Sequence, residues 1–184
     1  MLSLPLAPLL AIGSVAAVPI GAAVPDFKAT DLGGHELVLA QELASHKAVV
    51  VMFLSTTCPY VRYYGEYIRE LEARYEGQGV LFIGVDSNQF ETADEARAMA
   101  QDRGYTFPFI RDEQAQIADA LGARRTPEAF LIDAASRLRY RGWIKSRIGS
   151  NDMEQAIDAV LAGRPVRKAE TSAFGCAIDR PKAR

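Results

Sequence analysis

The stretch AVVVMFLS, from Ala48 to Ser55, places seven apolar residues in a row before its first hydroxyl. So apolar and β-branched a run leaves no wet face, and it predicts a central strand covered on both sides. Thr56-Thr57-Cys58-Pro59 follows. Beyond it, Val61, Tyr64, Ile68, Leu71 and Tyr75 recur at intervals of 3, 4, 3 and 4, the single buried stripe of a long helix. VLFIGV, Val80 to Val85, reads as a second buried strand. Strand, helix, strand in this order is a parallel crossover with the helix laid on the sheet.

The rest of the chain extends the pattern. Thr92-Ala93-Asp94-Glu95 has the form of a capping box and opens a helix to about Arg103. FPFIRD is a short strand, and Asp112 caps a helix that ends at Gly122. EAFLID and RLRYRGWI predict a hairpin turning at Ala134 to Ser136. Asn151 to Ala162 is an amphipathic helix with Met153, Ile157, Val160 and Leu161 inward, stopped by Gly163 and Pro165. The order β-α-β-α-β-α-β-β-α predicts an α/β fold, a mixed central sheet with helices on both faces. Cys58 then lies at the C-terminal end of a central strand, where open α/β sheets place their sites.

A formal net charge of -2 from 21 basic and 23 acidic residues argues against a nucleic-acid binder or a polybasic membrane-surface protein. The two histidines, His35 in a Gly-Gly turn and His46 before a strand, have no metal-ligand spacing, so neither metal nor cofactor is expected. Arg137, Arg139 and Arg141 alternate with Leu138 and Tyr140, either as an anion-binding stripe or as the solvated face of an edge strand. The first 25 residues carry no charge. Residues 1–23 are expected to be a signal peptide, with Ser14-Val15-Ala16 or the Ala-rich run after it as the cleavage site, or an apolar N-terminal arm. Pro5, Pro8, Gly13 and Pro19 argue against a spanning helix there. A periplasmic or secreted location is favoured, with the cytoplasm as alternative. The domain proper is expected over residues 24–165, and residues 166–184 form a polar tail that carries Cys176.

A cysteine reacts as its thiolate, and a helix N-terminus favours the anion. Pro59 suits the first helical position, where its missing N–H would be unpaired anyway. Lowering a thiol from its ordinary value to a pKa of about 6 requires about 3.4 kcal/mol at 1.36 kcal/mol per unit. The dipole supplies about 0.3–1 kcal/mol, and about 2 at best. Further donors are needed, and the candidates are the hydroxyls of Ser55, Thr56 and Thr57 and the guanidinium of Arg62, Arg124 or Arg125. The alternative is that Cys58 is a small buried hydrophobe. Thr126-Pro127 before a strand is awkward for proline unless the peptide is cis or the strand begins there. A cis-proline loop facing Cys58 would present backbone groups to an extended substrate. Tyr60, two residues past the thiol, is the candidate for substrate contact.

The segments PIGAAVPDFKATDLGGHELVL, VVVMFLSTTCPYV, GVLFIGVDSN, RRTPEAFLID, YRGWI and FGCAID together resemble the thioredoxin-like redoxins of the alkyl hydroperoxide reductase/thiol-specific antioxidant family. The match covers about residues 19 to 162 and the tail, and is nearest a branch with a Cys-Pro-x-Val site and a C-terminal Gly-Cys-x-Ile segment. The resemblance implies a thioredoxin-like fold with a peroxiredoxin-type insertion at about Ser87 to Arg111. It also implies that Cys58 is the reactive cysteine, Thr126-Pro127 the cis-proline pair, and Cys176 the resolving partner. Thioredoxins carry Trp-Cys-Gly-Pro-Cys where this chain has Thr57-Cys58-Pro59-Tyr60-Val61, so no vicinal disulfide forms. Peroxiredoxins carry Pro-x-x-x-Thr/Ser-x-x-Cys; Ser55 fills the hydroxyl position and Val51 stands at the proline.

The expected activity is a thiol-dependent oxidoreductase in which Cys58 attacks a hydroperoxide or a disulfide. Arg125 with the Ser55 and Thr57 hydroxyls would stabilise the anion, and Tyr60, Arg124, Thr126 and Pro127 would line the substrate site. The expected partner is an external thiol reductant such as a thioredoxin-like protein; monomer and homodimer both stay open. Exchange with protein partners, or a non-catalytic binding module clamped by a structural disulfide, are the alternatives. Three readings of Cys176 stay open: resolving cysteine, permanent disulfide and unpaired tail thiol. A 58–176 bridge would stabilise the domain by about 4–5 kcal/mol on the chain-entropy model.

Overall fold

The computed structural model describes residues 17–146 and 149–180, so most of the N-terminal apolar run, including Ser14-Val15-Ala16, lies outside the described residues. The chain enters through β1 (Lys28–Thr30), β2 (Glu36–Val38) and a short helix α1 (Leu39–Ser45). There follow β3 (Ala48–Phe53), α2 (Pro59–Tyr75), β4 (Val80–Asp86), α3 (Ala93–Arg103), β5 (Phe109–Arg111) and α4 (Gln116–Leu121). The last elements are β6 (Arg125–Thr126), β7 (Glu128–Asp133), β8 (Leu138–Gly142), α5 (Asp152–Leu161) and β9 (Cys176–Ala177).

The main sheet has the order β5-β4-β3-β7-β8. β3 runs parallel to β4 and antiparallel to β7, β4 is parallel to β5, and β7 and β8 form the expected hairpin. All six residues of β3 are buried. Ala48, Val50 and Met52 face the core built by α2 and α5, with Val61, Ile68, Leu71, Met153 and Ile157. Val49, Val51 and Phe53 face the core of α1 and α4, with Leu39, Leu43, Ile117 and Leu121. A strand that feeds two cores has no position for a polar side chain, which is why its sequence does not alternate. The stripe on α2 is buried as its spacing predicts, at Val61, Tyr64, Ile68, Leu71 and Tyr75.

The insertion is α3 and β5. Thr92 accepts from the Glu95 N–H while the Glu95 carboxylate accepts from the Thr92 N–H, the reciprocal capping box. Asp112 takes the N–H groups of Ile117 and Ala118 at the start of α4, and Gly122 ends that helix in the left-handed region. In α5, Met153 and Ile157 are buried, while Val160 and Leu161 are only partly covered.

Three features depart from the sequence pattern. β3 stops at Phe53, and Leu54 to Thr57 leave the sheet to reach the head of α2. The β1–β2 hairpin and the two-turn helix α1 carry no sequence signal of their own, because three-residue strands are too short to show alternation and seven residues too few for a helical stripe. Arg137, Arg139 and Arg141 form no open stripe: Arg137 donates to the Gly21 carbonyl, Arg139 pairs with Asp133 and Arg141 with Glu170. The edge of β8 is covered instead, by residues 21–24 at one end and 169–171 at the other. Val18 and Val24 are buried against this side of the domain. Among the described residues no helix is long and apolar enough to cross a membrane.

Candidate active site

Cys58 is the N-cap residue of α2, with extended backbone angles and Pro59 directly after it. Leaving β3 at Phe53 carries the chain over the C-terminal edge of the sheet, so the thiol stands at the strand end. It is 2 % exposed. Opposite it the Thr126–Pro127 peptide is cis, with the Thr126 carbonyl 3.1 Å from Cys58 Sγ.

The second thiol arrives from the tail. β9 pairs antiparallel with β6, and the register sets Cys176 against Thr126 and Ala177 against Arg125. The two sulfurs are 2.6 Å apart, both as free thiols, across 118 residues of sequence. Gly175 makes the approach feasible: a Cβ there would lie 2.0 Å from the Thr126 carbonyl oxygen, so only glycine fits. Arg125 donates to the Gly175 carbonyl at 3.0 Å, and Ile178 N–H to the Arg124 carbonyl at 3.0 Å.

Burial pushes the Cys58 thiol up, but hydrogen bonds from Cys176 and Thr126 and from the backbone of Val61 outweigh it and hold the pKa below the ordinary thiol value. Cys176 moves the other way, to about 11, through burial, its hydrogen bond to Cys58, and the negative charges of Cys58 and Glu91. The pair is therefore polarised, with Cys58 the thiol that ionises more readily and Cys176 the one held protonated.

The anion stabilisers expected from the sequence are placed differently. Arg124 and Arg125 are exposed, and the Arg125 guanidinium is committed to the Gly175 carbonyl, so it holds the tail. The backbone N–H groups of both arginines donate to Glu128, a nearly buried carboxyl at the start of β7. The Ser55 and Thr57 hydroxyls donate to the Glu91 carboxylate at 2.5 and 2.8 Å, and Thr56 N–H joins them at 2.6 Å. Those donors outweigh burial and hold the Glu91 carboxyl below its ordinary range. Tyr60 meets Phe174 of the tail edge to face, with ring centroids 4.7 Å apart.

Glu91 is the residue that sequence reading missed. In QFETADE it looks like one more surface acid before a helix cap, yet it is 6 % exposed and anchors the loop that carries Cys58. The signal was on the other side: three hydroxyl residues in a row at a strand end require an acceptor. Glu91 also faces Asp86, whose Oδ2 has no donor. Burial first, then the neighbouring Glu91, push Asp86 up to about 7. Arg111 ties this loop together through the backbone carbonyls of Asp86, Asn88 and Glu91. Among the described residues no group of three His, Cys, Asp or Glu side chains converges as a metal site.

A five-stranded mixed sheet, a cysteine at the head of the first crossover helix and a cis-proline opposite it define a thioredoxin-like dithiol protein. The Redoxin family model matches residues 19–160, and the chain belongs to that family. A protein of Geobacillus kaustophilus named thiol-disulfide oxidoreductase ResA is 31% identical over 144 residues, 78% of this chain and 79% of the relative. A Vibrio cholerae protein named thiol:disulfide interchange protein DsbE is 28% identical over 148 residues, 79% of this chain and 77% of its own. The crystal structure of a hypothetical protein from Sinorhizobium meliloti 1021 superposes with a TM-score of 0.83 at 32% identity, covering 91% of this chain and 98% of that one.

Proposed function

We propose that the protein is a thiol–disulfide oxidoreductase that cycles between the Cys58/Cys176 dithiol and the 58–176 disulfide. The observation that carries this is the sulfur pair, 2.6 Å apart and oppositely shifted in pKa. The names of the ResA and DsbE relatives support the same chemistry. In the oxidation half, the Cys58 thiolate attacks a disulfide sulfur, one S–S bond forms as another breaks, and the leaving thiolate takes a proton. Cys176 then attacks Cys58 Sγ, closes the internal disulfide and expels the second thiolate. Two thiols are oxidised and one disulfide reduced. Cys176 gains reactivity when it is needed: bonding Cys58 removes the thiolate charge that helps hold the Cys176 pKa up.

The return half uses the same asymmetry. An external thiolate attacks the more accessible sulfur and expels the thiolate of lower pKa. Cys176 is half-buried and Cys58 is buried, so attack at Cys176 releasing Cys58 satisfies both conditions. An external dithiol reductant, such as a thioredoxin-like protein, completes the cycle. A disulfide is favoured over a hydroperoxide as oxidant, because the Arg125 guanidinium is engaged by the Gly175 carbonyl and Val51 stands at the peroxiredoxin proline position. The uncharged opening of the chain supports an exported protein, and intact mass of natural material reads where the mature chain begins.

The test is rapid-quench alkylation and mass spectrometry of the reduced protein with one equivalent of a small disulfide or of hydrogen peroxide. The proposal expects a mixed disulfide at Cys58, then loss of the mass of two hydrogens with both cysteines protected, faster with the disulfide. Faster reaction with peroxide, through a sulfenic acid at Cys58, would reassign the oxidant. Inertness of Cys58 to both would leave a binding module with a structural bridge.

A further inference from the structure

A strand edge with open N–H and C=O groups is a platform on which an extended peptide adds as a further strand. At β6, beside the cis-proline, that platform is occupied by the chain itself. β9 pairs with it, and Cys176 sits opposite Thr126, where a protein substrate lying on the same edge would present its own sulfur to Cys58. The tail is fastened on both sides of this strand. Upstream, Thr171 N–H donates to the Arg141 carbonyl, and its hydroxyl meets Tyr140 Oη at 2.9 Å and Trp143 N–H at 3.1 Å. The fit there is close, since a Cβ on Gly142 would lie 1.9 Å from Thr171 Oγ1. Downstream, Ile178 is 6 % exposed, Asp179 exchanges hydrogen bonds with Asn88 and Gln89, and Arg180 binds Asp119 and the Ala123 carbonyl.

Cys58 also borders a second cavity, away from the tail. A cleft of about 520 Å3 between α2 and α3 is lined by Cys58, Thr57, Arg62, Met99 and Arg103, and among the described residues none of the tail contributes to its lining. A cleft of this size holds a small organic molecule. It cannot hold an extended peptide paired to β6, which lies on the tail side.

Building on the dithiol cycle above, we propose that the tail is a built-in substrate mimic: it keeps the strand edge for Cys176 and leaves Cys58 to low-molecular-weight disulfides entering between α2 and α3. The small disulfide R–S–S–R is reduced to two R–SH as Cys58 and Cys176 are oxidised. Protein partners exchange at the Cys176 sulfur, on the tail side, where a dithiol reductant returns the pair to thiols. A protein disulfide reaches Cys58 only in molecules whose tail strand has detached, and its apparent affinity falls by that fraction.

The experiment compares thiol consumption in the full-length reduced protein by bis(2-hydroxyethyl) disulfide and by insulin, in the wild type and in two variants that loosen the tail by different routes. Gly175→Ala drives a methyl group into the Thr126 carbonyl; Ile178→Asp places a charge in a buried apolar seat. The wild type is expected to react on the order of 100-fold faster with the small disulfide than with insulin, since tail detachment must precede the latter. Each variant is expected to raise the insulin rate by about 10-fold or more, the scale set by losing one buried aliphatic side chain, while the small-disulfide rate does not rise and falls to the extent that a loosened Cys176 no longer lowers the Cys58 pKa. Equal wild-type rates for the two probes, or variants that leave the insulin rate unchanged, would overturn the substrate mimic while leaving the dithiol cycle intact. No consumption of Cys58 by either probe would remove the cycle itself, and this proposal with it.

Discussion

β3 and the tail meet at the two sulfurs, yet they are held there by different forces. Every residue of β3 is buried, with side chains in two cores and a neighbouring strand on each side. The tail from Ala169 to Arg180 is mostly exposed or half-buried and has one well-buried apolar side chain, Ile178. Its position comes from a handful of directed hydrogen bonds and from two glycines at which any side chain would collide. Dispersed burial makes Cys58 part of the global fold, whereas a few localised contacts make Cys176 a separately detachable unit. The nucleophile is fixed and its partner is delivered.

The largest break of this contrast is in the core. Phe130 is fully buried and packs edge to face on Phe53 with centroids 5.6 Å apart. Phe130→Ala should cost about 3–5 kcal/mol in chemical denaturation, with the sheet and the site lost in one transition. The next effect belongs to the buried acid at the end of β4. Asp86 has its pKa raised from 3.8 to about 7, so folding disfavours its ionised form, and that destabilisation grows as pH rises from about 4 and is complete above about 7. Asp86→Asn keeps the acceptor for Asn88 N–H and adds a donor toward Glu91. It should therefore stabilise the protein at pH 8, by at most about 4 kcal/mol at 1.36 kcal/mol per unit, and have little effect at pH 4. Melting curves at the two pH values check the sign; a variant less stable at pH 8 would contradict it.

The smallest expected effect on global stability is in the tail. Ile178→Ala should change it by about 1 kcal/mol or less, yet speed hydrogen exchange at the Ile178 amide by about 10-fold, because that amide opens locally. Equal slowing or speeding of exchange in β3 would erase the distinction between the two regions.

Most of the scaffold was legible for a physical reason. Continuous apolar runs and a 3-4 stripe are consequences of burial on known faces, so β3, β4, α2 and the β7–β8 hairpin are legible in the sequence itself. The cis Thr126–Pro127 peptide was raised by the proline at a strand start, and the arrival of the tail at the site by the resemblance. The electrostatics were not legible. Ser55 and Thr57 were expected to serve the thiolate and instead hold Glu91, and Arg125 was expected to face Cys58 and instead holds Gly175. Side-chain partners across 36 or 50 residues of sequence depend on where a loop lands, and polar loops carry no periodicity to announce it. β6 and β9 escaped for the same reason, as two-residue strands whose pairing exists only once the tail has folded back.

The polarised thiol pair is the centre of the account, and the pH dependence of alkylation at each cysteine tests it most directly. With reduced protein and a small iodoacetamide label, mapped by mass spectrometry, Cys58 should titrate below the ordinary thiol range and Cys176 near 11. Cys176→Ala removes the donor to the thiolate and should move the Cys58 titration upward. Two cysteines that titrate together, or a Cys58 that titrates above Cys176 and is indifferent to its removal, would contradict it.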